Sequence, residues 1–599
     1  MASLGSSQKD SNDVENKFPG FRCAAANKVH RSMLDSPYME YATGPRLTDR
    51  EIRMMAFMDQ VTDKPNWVDD ISDDEIVDSW GEEVYSKPDD ERSGDVFFSE
   101  DMFEYCISEL RLKADDAKAT GIVDVLDAGA TVAKSDTIVP TSLAEALRAN
   151  VKSLEDFHVA SEHWQSKSNK TILNLVDPSL YPVVYGTTRV LPRGYVPLNH
   201  CASVTGKGEP TEEVDRWGIA NAYYNDRYGS FQSLPSDINW TETGVKISSY
   251  INNLHPEDHT DLYKVLEDFV DKAIPLWEEC ITFGFKRSPR ITLKCKKEAK
   301  LSIPEDLEYQ YRKCSRDFVG PKYFSQEYEL EEKCHDWMRE NQMGWPEPDP
   351  EVGIKVPRIR PRNKTSLKKE FSSGIQVIFK IANIYLTPEN PRFEGSEWDM
   401  DGTPDNHVVA TAIYDYEAEN ITESRIAFKE CVYEVPAHKD DYLNHELLWY
   451  HLDSAFSEIG SVRTQPGRML AYPNRLLERI QPFELKDPTK PGHRKYIAMF
   501  LVDPKFPILS TRVVPPQQED WWIREVRTVP PFSRLPPELF DMIADLAKGS
   551  FMNQEEAEKK RTRFIDQRTY LEEWWEGNQE RNWRKEFMEH TNDYEDEYY

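Results

Sequence analysis

The sequence predicts an α+β protein, with a mainly helical N-terminal region followed by a double-stranded β-helix (jelly-roll-like) barrel and C-terminal helices. Apolar residues recur at helical spacing before residue 350. From 370 to 525, short β-branched and aromatic runs dominate, many of them separated by Gly or Pro. Such closely spaced strands are typical of antiparallel sandwiches and barrels. The chain has 599 residues, enough for more than one hydrophobic core.

Residues 1–44 are polar and lack the apolar core of a secretory signal, so we expect a disordered leader. No apolar run approaches the roughly 18–20 residues that a membrane span needs. The eight cysteines are scattered, with no CxxC pair. Scattered thiols are typical of a reducing compartment, not of a disulfide framework or a zinc site. We therefore expect a cytoplasmic protein without a membrane partner, a metal or another cofactor.

Helices are predicted in the region 45–350 from caps and periodicity. Thr48 begins a capping-box sequence, TDRE, ahead of apolar residues at helical spacing. Residues 260–281 form a strongly amphipathic pattern, which Pro275 is expected to kink. The acidic stretch 67–95 is predicted to be rich in loops. Two further helices are predicted over 103–114 and 142–156.

Strands are predicted after a basic linker, 351–369, and they form the barrel core of 370–525. Residues 526–599 are predicted to be C-terminal helices and an acidic tail. The predicted strands are 374–386, 407–416, 425–433, 468–472, 479–483, 496–502 and 508–514.

The net charge of −32 repels nucleic acid at long range unless the basic residues are grouped. Two segments, 285–300 and 355–369, group them. The alternatives are solvated loops that pair with the acidic remainder and contacts with the phosphate backbone of a nucleic acid. The candidate phosphate-binding residues are Lys355, Arg358, Arg360, Arg362, Lys364, Lys368 and Lys369.

An acidic loop, EWDMDG, contains the first candidate site residues, Glu397, Asp399 and Asp401. If this segment is extended, alternation places the three carboxylates on one side. Carboxylates that share one space raise one another's pKa unless a cation lies among them. The alternative is a solvated acidic turn, although Trp398 between them favours a packed segment.

A second acidic group lies in the segment HKDDYLNHELLWYHL. Asp441 is a plausible helix N-cap. Alternatively, Asp440, Asp441 and Glu446 contribute to a substrate site, together with His407. The sequence does not relate this group to Asp399.

Several strings resemble a large, mainly fungal family of unknown function. Among them are YGTTRVLP, KISSYINNLHP, LAYPN and VPPQQEDWW, and the resemblance spans about 45–545. Many members have His-x-Glu where this chain has Asp399-Met400-Asp401, and a second histidine where Glu478 stands. That pattern resembles the iron ligands of 2-oxoglutarate oxygenases, with Arg494 in the place of the co-substrate clamp. Here both histidines are replaced by carboxylates, which suit hard or organic cations better than Fe(II).

The EWDMDG form resembles a subfamily, the fungal arginine-containing cyclodipeptide synthases. The resemblance implies condensation of arginyl-tRNA with a second aminoacyl-tRNA to a cyclic dipeptide. It also implies that the basic segments 285–300 and 355–369 are RNA-binding segments that contact the tRNA backbone, and that DNA is not a partner. Carboxylates are suited both to hold a guanidinium group and to accept the proton of an amine. The implied catalytic residues are Glu397, Asp399, Asp401 and Glu478, with Arg494 in substrate binding. The alternatives are an iron/2-oxoglutarate oxygenase with unusual ligands and a non-catalytic binding protein.

Overall fold

The computed structural model describes residues 15–19, 22–23, 47–87, 97–161, 164–165, 168–212, 230–282, 290–291, 350, 365–432, 455–546 and 551–592. Within these ranges the helices are α1 (Asp49–Thr62), α2 (Trp67–Asp70), α3 (Asp74–Tyr85), α4 (Glu100–Thr120), α5 (Thr141–Ala160), α6 (Thr260–Thr282), α7 (Leu367–Glu370), α8 (Glu519–Thr528), α9 (Pro537–Leu546) and α10 (Gln554–Asn592).

The strands before residue 350 are β1 (Phe18–Pro19), β2 (Arg22–Cys23), β3 (Val123–Val125), β4 (Val132–Ser135), β5 (Ile172–Val176), β6 (Val183–Val184), β7 (Arg189–Val190), β8 (Glu209–Pro210), β9 (Phe231–Gln232), β10 (Ser236–Trp240) and β11 (Val245–Ile247). The later strands are β12 (Ile375–Leu386), β13 (Arg392–Phe393), β14 (Val408–Glu419), β15 (Ser424–Cys431), β16 (Phe456–Thr464), β17 (Met469–Pro473), β18 (Leu477–Ile480), β19 (Phe483–Glu484) and β20 (Gly492–Val502).

A nine-stranded sheet organises the molecule, in the order β11-β10-β12-β20-β14-β17-β4-β3, with β5 also paired to β12. The pairings within it are antiparallel. Five of these strands, β3, β4, β5, β10 and β11, precede residue 350, so the sheet extends into the region predicted to be mainly helical. Among the described residues the strand pairings do not close into a barrel, and the fold is a mixed α/β sandwich.

The large sheet has a different neighbour on each face. Helices α5 and α6 cover one face, where Phe269 of α6 packs on Tyr414 with ring centroids 4.9 Å apart. A three-stranded sheet, β16-β15-β18, covers the other face. There Phe428 of β15 lies 5.0 Å from Tyr472 of β17 between ring centroids. Strand alternation therefore aims every second residue of β12, β14, β17 and β20 into the space between the two sheets.

The N-terminal helices follow local signals. The Thr48 hydroxyl accepts a hydrogen bond from the Glu51 amide, which confirms the Thr48 half of the predicted capping box. The Glu51 carboxylate accepts from Arg290. The loop prediction for 67–95 is wrong where α2 and α3 lie, because Asp73 caps α3 and that helix buries an apolar face that includes Trp80. Among the described residues, no helix has the length and apolarity needed to cross a membrane.

Helix α6 extends from Thr260 to Thr282 with Pro275 inside it. The kink expected at Pro275 stays a prediction. Two other expectations differ from the structure. The predicted strand 508–514 is instead a turn-rich segment, because its polar groups bond to loops and side chains. For example, the Ile508 amide donates to the Gln376 side chain, 2.9 Å away. Part of the predicted leader is packed, since the Asn16 side chain is buried and donates to the carbonyl of Leu191 at 2.8 Å.

Candidate functional site: a carboxylate cluster between the two sheets

Asp399 and Glu478 face each other across an antiparallel bridge. The Asp399 amide donates to the Glu478 carbonyl, and the Glu478 amide to the Asp399 carbonyl, both at 2.9 Å. Directly opposed residues of an antiparallel pair hold their Cβ atoms roughly 4.5–5.5 Å apart. The backbone therefore forces these two carboxylates together.

Asp401 joins them from the same loop. Its backbone is held by Asn474, which accepts from the Asp401 amide at 3.0 Å and donates to its carbonyl at 2.9 Å. The Asp401 carboxylate accepts from the Thr411 hydroxyl at 2.6 Å and from the Tyr472 hydroxyl at 3.1 Å. Because Thr411 and Tyr472 are register partners in β14 and β17, Asp401 is fixed against the large sheet.

The cluster changes the acidity of its members. Burial raises the pKa of Glu478 to about 8, and the neighbouring charges of Asp401 and Asp399 add to the rise, against Lys380 and Arg494. Burial also raises the pKa of Asp401, with a further rise from Asp399. Glu478 therefore exchanges its proton close to neutral pH, as a general base must.

Two carboxylate oxygens of the cluster are buried without a hydrogen-bond partner among the described residues. They are Oδ1 of Asp399 and Oε2 of Glu478. Leaving a buried polar group unsatisfied costs about 1–3 kcal/mol. Native structures rarely accept that cost unless a ligand or water supplies the missing bond. The two oxygens therefore mark the place where a hydrogen-bond donor fits.

Two cations project from the large sheet. Arg494 is fully buried and donates Nε and Nη2 to Asp415 at 2.7 and 2.9 Å, while its Nη1 has no hydrogen-bond partner in the described part of the chain. Lys380 of β12 points to the same face, because Ile384, four residues further along β12, is the register partner of Arg494. The pKa of Lys380 is raised, chiefly by Tyr496 and also by Asp401.

A third cation comes from the C-terminal helix. Nη2 of Arg568, in α10, donates to Oδ2 of Asp399 at 2.8 Å. The two side chains are 31% and 26% exposed, so the pair lies at the edge of the cluster. Asp399 thus already binds one guanidinium group through one of its oxygens.

The other predicted site residues lie in different places. Glu397 is exposed, so it does not share the burial of Asp399, Asp401 and Glu478. His407 stacks on Phe506, with ring centroids 5.8 Å apart. Asp440, Asp441 and Glu446 lie outside the described residues.

The predicted RNA-binding residues are described only at their C-terminal end. Lys368 and Lys369 are exposed on α7, and the Lys368 ammonium donates to the Thr241 carbonyl at 2.8 Å. In the other basic segment, Arg290 is buried and bonded to carboxylates, so it cannot contact RNA. Lys355, Arg358, Arg360, Arg362 and Lys364 lie outside the described residues.

Sequence reasoning missed Lys380, Thr411, Tyr472, Asn474 and Arg568. Lys380 could have been recognised from the sequence, since it is the single charged residue in the apolar strand IQVIFKIANIYL. The others had none, because their roles depend on contacts between distant segments. Arg568 is 169 positions from Asp399.

The cluster does not fit an iron triad. It offers no imidazole, which non-haem iron sites of this kind use. Asp399 and Asp401 are already bonded to Arg568 and to hydroxyl groups. In the described part of the chain, the group whose potential ligand atoms all lie within 4.8 Å of one another is instead Glu417, Glu419 and His493. Glu417 there also accepts from Lys495 at 3.0 Å.

The fold and the site define an α/β sandwich protein with a half-buried carboxylate cluster between its two sheets. The chain belongs to the family described as a protein of unknown function, DUF4246, whose model matches residues 100–525. The N-terminal domain model of the same family matches residues 12–83. No curated protein matches the chain.

The similar solved structures are remote. They include an IDO from Bacillus thuringiensis, at 7% identity and a TM-score of 0.15, with 22% of this chain and 47% of that chain covered. A bsmA homolog from Methylobium petroleophilum PM1 has 13% identity and a TM-score of 0.13, covering 22% and 43%. An Fe(II)/(alpha)ketoglutarate-dependent dioxygenase, TqaL, has 12% identity and a TM-score of 0.15, covering 33% and 75%. The match spans less than half of the first two proteins.

Proposed function

We propose that the protein is a tRNA-dependent cyclodipeptide synthase, which condenses arginyl-tRNA with a second aminoacyl-tRNA to a cyclo-(Arg-Xaa) diketopiperazine. The proposal rests on two buried carboxylate oxygens, Oδ1 of Asp399 and Oε2 of Glu478, which have no hydrogen-bond donor among the described residues. A guanidinium or amino group supplies the hydrogen bonds that these oxygens lack. The contact between Asp399 and Arg568 supports a guanidinium as ligand.

The chemistry requires a base and no nucleotide. In the first step the amino group of one aminoacyl ester attacks the carbonyl carbon of the other. The C–N bond forms, the ester C–O bond breaks, and the proton leaves the amine for the departing ribose hydroxyl. Repeating the step within the dipeptidyl ester closes the ring. Glu478, with a pKa of about 8, is matched to the free α-amino group, whose pKa is about 7.7–8.0.

The proposal assigns separate roles to the charged residues. Asp399 and Asp401 hold the cationic part of the arginyl group, and Glu478 relays the proton between amine and leaving hydroxyl. Arg494 fixes the wall of the site through Asp415. The exposed Lys368 and Lys369, with the basic residues that precede them, would neutralise tRNA phosphates at the surface of an acidic protein.

Expression in a heterologous host, with mass spectrometry of the extract, tests the proposal. We expect a new arginine-containing diketopiperazine, which disappears in Asp399→Asn and Glu478→Gln. Glu484→Gln is a matched control, because Glu484 is an exposed carboxylate on the neighbouring strand β19. An extract without such a product, from cells that contain folded protein, would contradict the proposal.

A second candidate, a 2-oxoglutarate oxygenase, is favoured by one observation: the buried Nη1 of Arg494 has no hydrogen-bond partner among the described residues. A co-substrate carboxylate would satisfy it. Elemental analysis and succinate assays separate the two functions. One iron per chain, together with succinate formed from 2-oxoglutarate, would place the oxygenase first. Tight binding of arginine derivatives without any product would instead indicate a non-catalytic binding protein.

A further inference from the structure

We infer that Arg568 is a positioning residue and that the C-terminal helix α10 completes the substrate site. The inference rests on the proposed function, since it assumes that Asp399 binds the cationic group of a substrate. Arg568 acts through Asp399 and does not touch the substrate in this account. Its guanidinium occupies one oxygen of the carboxylate and directs the other towards the ligand.

The two oxygens of Asp399 have different surroundings. Oδ2 accepts the 2.8 Å hydrogen bond from Arg568. Oδ1 is buried without a hydrogen-bond partner among the described residues, as is Oε2 of Glu478 on the bridged neighbour. A carboxylate that could rotate freely would present either oxygen to the ligand. The bond to Arg568 fixes the rotation and leaves Oδ1 beside Glu478.

Helix α10 is anchored before it reaches Asp399. Phe564 is 3% exposed and stacks on Phe231, with ring centroids 5.6 Å apart. One turn earlier, Nε of Arg561 donates to Asp177 at 2.5 Å. Because residues four apart share a helix face, Phe564 directs Arg568 to the same side of the body.

A second contact holds the helix beyond the site. Glu576 accepts from the Lys429 ammonium at 2.9 Å. Lys429 also lies over a ring, since its Nζ is 5.1 Å from the centroid of Trp398, the neighbour of Asp399. Arg568 is therefore held between two anchors, as a positioning group needs to be.

The helix comes from a part of the chain that the family models do not match. Those models cover residues 12–83 and 100–525, whereas α10 spans Gln554–Asn592. The carboxylate cluster lies within the matched region, and the cation that orients it lies outside. The geometry of Asp399 therefore depends on a feature that the family pattern does not describe.

Three variants of the 599-residue chain test the inference. Arg568→Met removes the charge and keeps most of the stem, Arg568→Lys keeps a charge, and Arg563→Met changes an exposed arginine on the same helix. The first readout is the affinity for L-argininamide, measured by calorimetry. We expect Arg568→Met to weaken binding about two- to fivefold, Arg568→Lys to recover part of the affinity, and Arg563→Met to match the wild type.

The second readout is the pH dependence of product formation. Removing a cation beside the cluster favours the protonated carboxylic acids, so the acid limb should move to higher pH in Arg568→Met. Weaker packing of the helix alone would not move that limb. Unchanged affinity and an unchanged pH profile in Arg568→Met would overturn the inference, and so would higher affinity, which would make Arg568 an internal competitor.

The inference and the proposed function fail separately. If the wild type forms cyclic dipeptide and Arg568→Met does so equally well, the inference fails and the function stands. If the wild type binds L-argininamide in an Arg568-dependent way but forms no product from aminoacyl-tRNA, the inference stands and the synthase fails. Absence of both binding and product would reject both.

Discussion

Two groups of buried charged residues differ in how completely their polar atoms are hydrogen-bonded. In the first, Arg290 donates to Glu109 through Nε and Nη2 at 2.8 and 2.7 Å, to Asp127 at 2.8 Å and to Glu51 at 3.3 Å. Its side chain is 1% exposed. In the second, Asp399 and Glu478 each keep a buried oxygen that has no partner in the described residues.

We interpret the difference as one between a structural group and a candidate binding site. A buried charge is tolerated when its partners compensate the loss of water, and Arg290 has them. The carboxylate cluster is under-compensated, so protonation relieves it, and the pKa of Glu478 rises to about 8. A cationic ligand would supply the hydrogen bonds and the positive charge that the carboxylates of this cluster lack. Similar charged side chains therefore stabilise the packing of the N-terminal helices in one place and form the proposed binding site in the other.

We expect the largest effect on stability from a substitution in the Arg290 group. Arg290→Met removes the cation that Glu51, Glu109 and Asp127 share, although Glu109 and Asp127 keep their contacts with Lys113. Losing one partner of a buried ionic group costs about 3–5 kcal/mol. We expect the free energy of unfolding, measured in urea, to fall by that amount. Arg563→Met, on an exposed face, serves as the control. Equal stability of the two variants would show that the Arg290 network is dispensable.

The next effect separates activity from stability. Glu478→Gln replaces a carboxyl group, whose ionised form is disfavoured beside Asp399 and Asp401, by a neutral amide. We therefore expect an unfolding free energy equal to or above that of the wild type. Loss of the base should lower the rate of product formation about 10²–10⁴-fold. Urea unfolding and product assays on one preparation measure both. A strongly destabilised Glu478→Gln protein would make Glu478 a structural residue.

A third prediction concerns pH. The pKa of Glu478 is about 8 in the folded state, against an ordinary value of 4.5. Between these values the folded protein holds a proton that the unfolded chain has released. The stabilisation from this proton is complete below pH 4.5 and is lost as the pH rises through about 8. Unfolding curves from roughly pH 5 to 9 should show a fall in the wild type that is smaller in Glu478→Gln; parallel curves would contradict the shift.

We expect the smallest effect, a change in tRNA affinity, from substitutions at the surface. Lys368→Glu with Lys369→Glu should weaken tRNA binding, because fewer phosphates are neutralised. The slope of log affinity against log salt concentration should become shallower by about 1 for each phosphate that is no longer neutralised. Lys264→Glu, an exposed lysine on α6, is the control. Fluorescence titrations over a salt series measure the slope. Identical slopes in the two proteins would remove α7 from the tRNA surface.

The local parts of the fold are visible in the sequence. The cap at Thr48 and the apolar pattern of α6 predict helices because both signals are local. The acidic composition of 67–85 concealed the helix α3, whose apolar residues form a single buried face. The strands β4 and β5 were not predicted, because they are short and become strands only by pairing with β17 and β12.

The sequence also indicated the residues of the candidate site, but not the contacts between them. Alternation in one loop joined Asp399 and Asp401, and the resemblance to a fungal family supplied Glu478. The bridge between Asp399 and Glu478 required the fold itself. The exposure of Glu397 was not predicted, because strand alternation indicates on which side of the strand a side chain lies and not how deeply it is buried. The contribution of Arg568 depends on where a distant helix docks, which no local pattern encodes.

The most direct test of the central claim uses purified protein and a pool of aminoacyl-tRNA charged beforehand with radiolabelled arginine. Neither ATP nor a tRNA synthetase is present, so the ester is the sole source of energy. We predict that the wild type moves the label from tRNA into a cyclic dipeptide. In Glu478→Gln the label should stay on tRNA, and ribonuclease treatment beforehand should prevent dipeptide formation by the wild type. Label that leaves tRNA only as free arginine, at the rate seen without protein, would contradict the account.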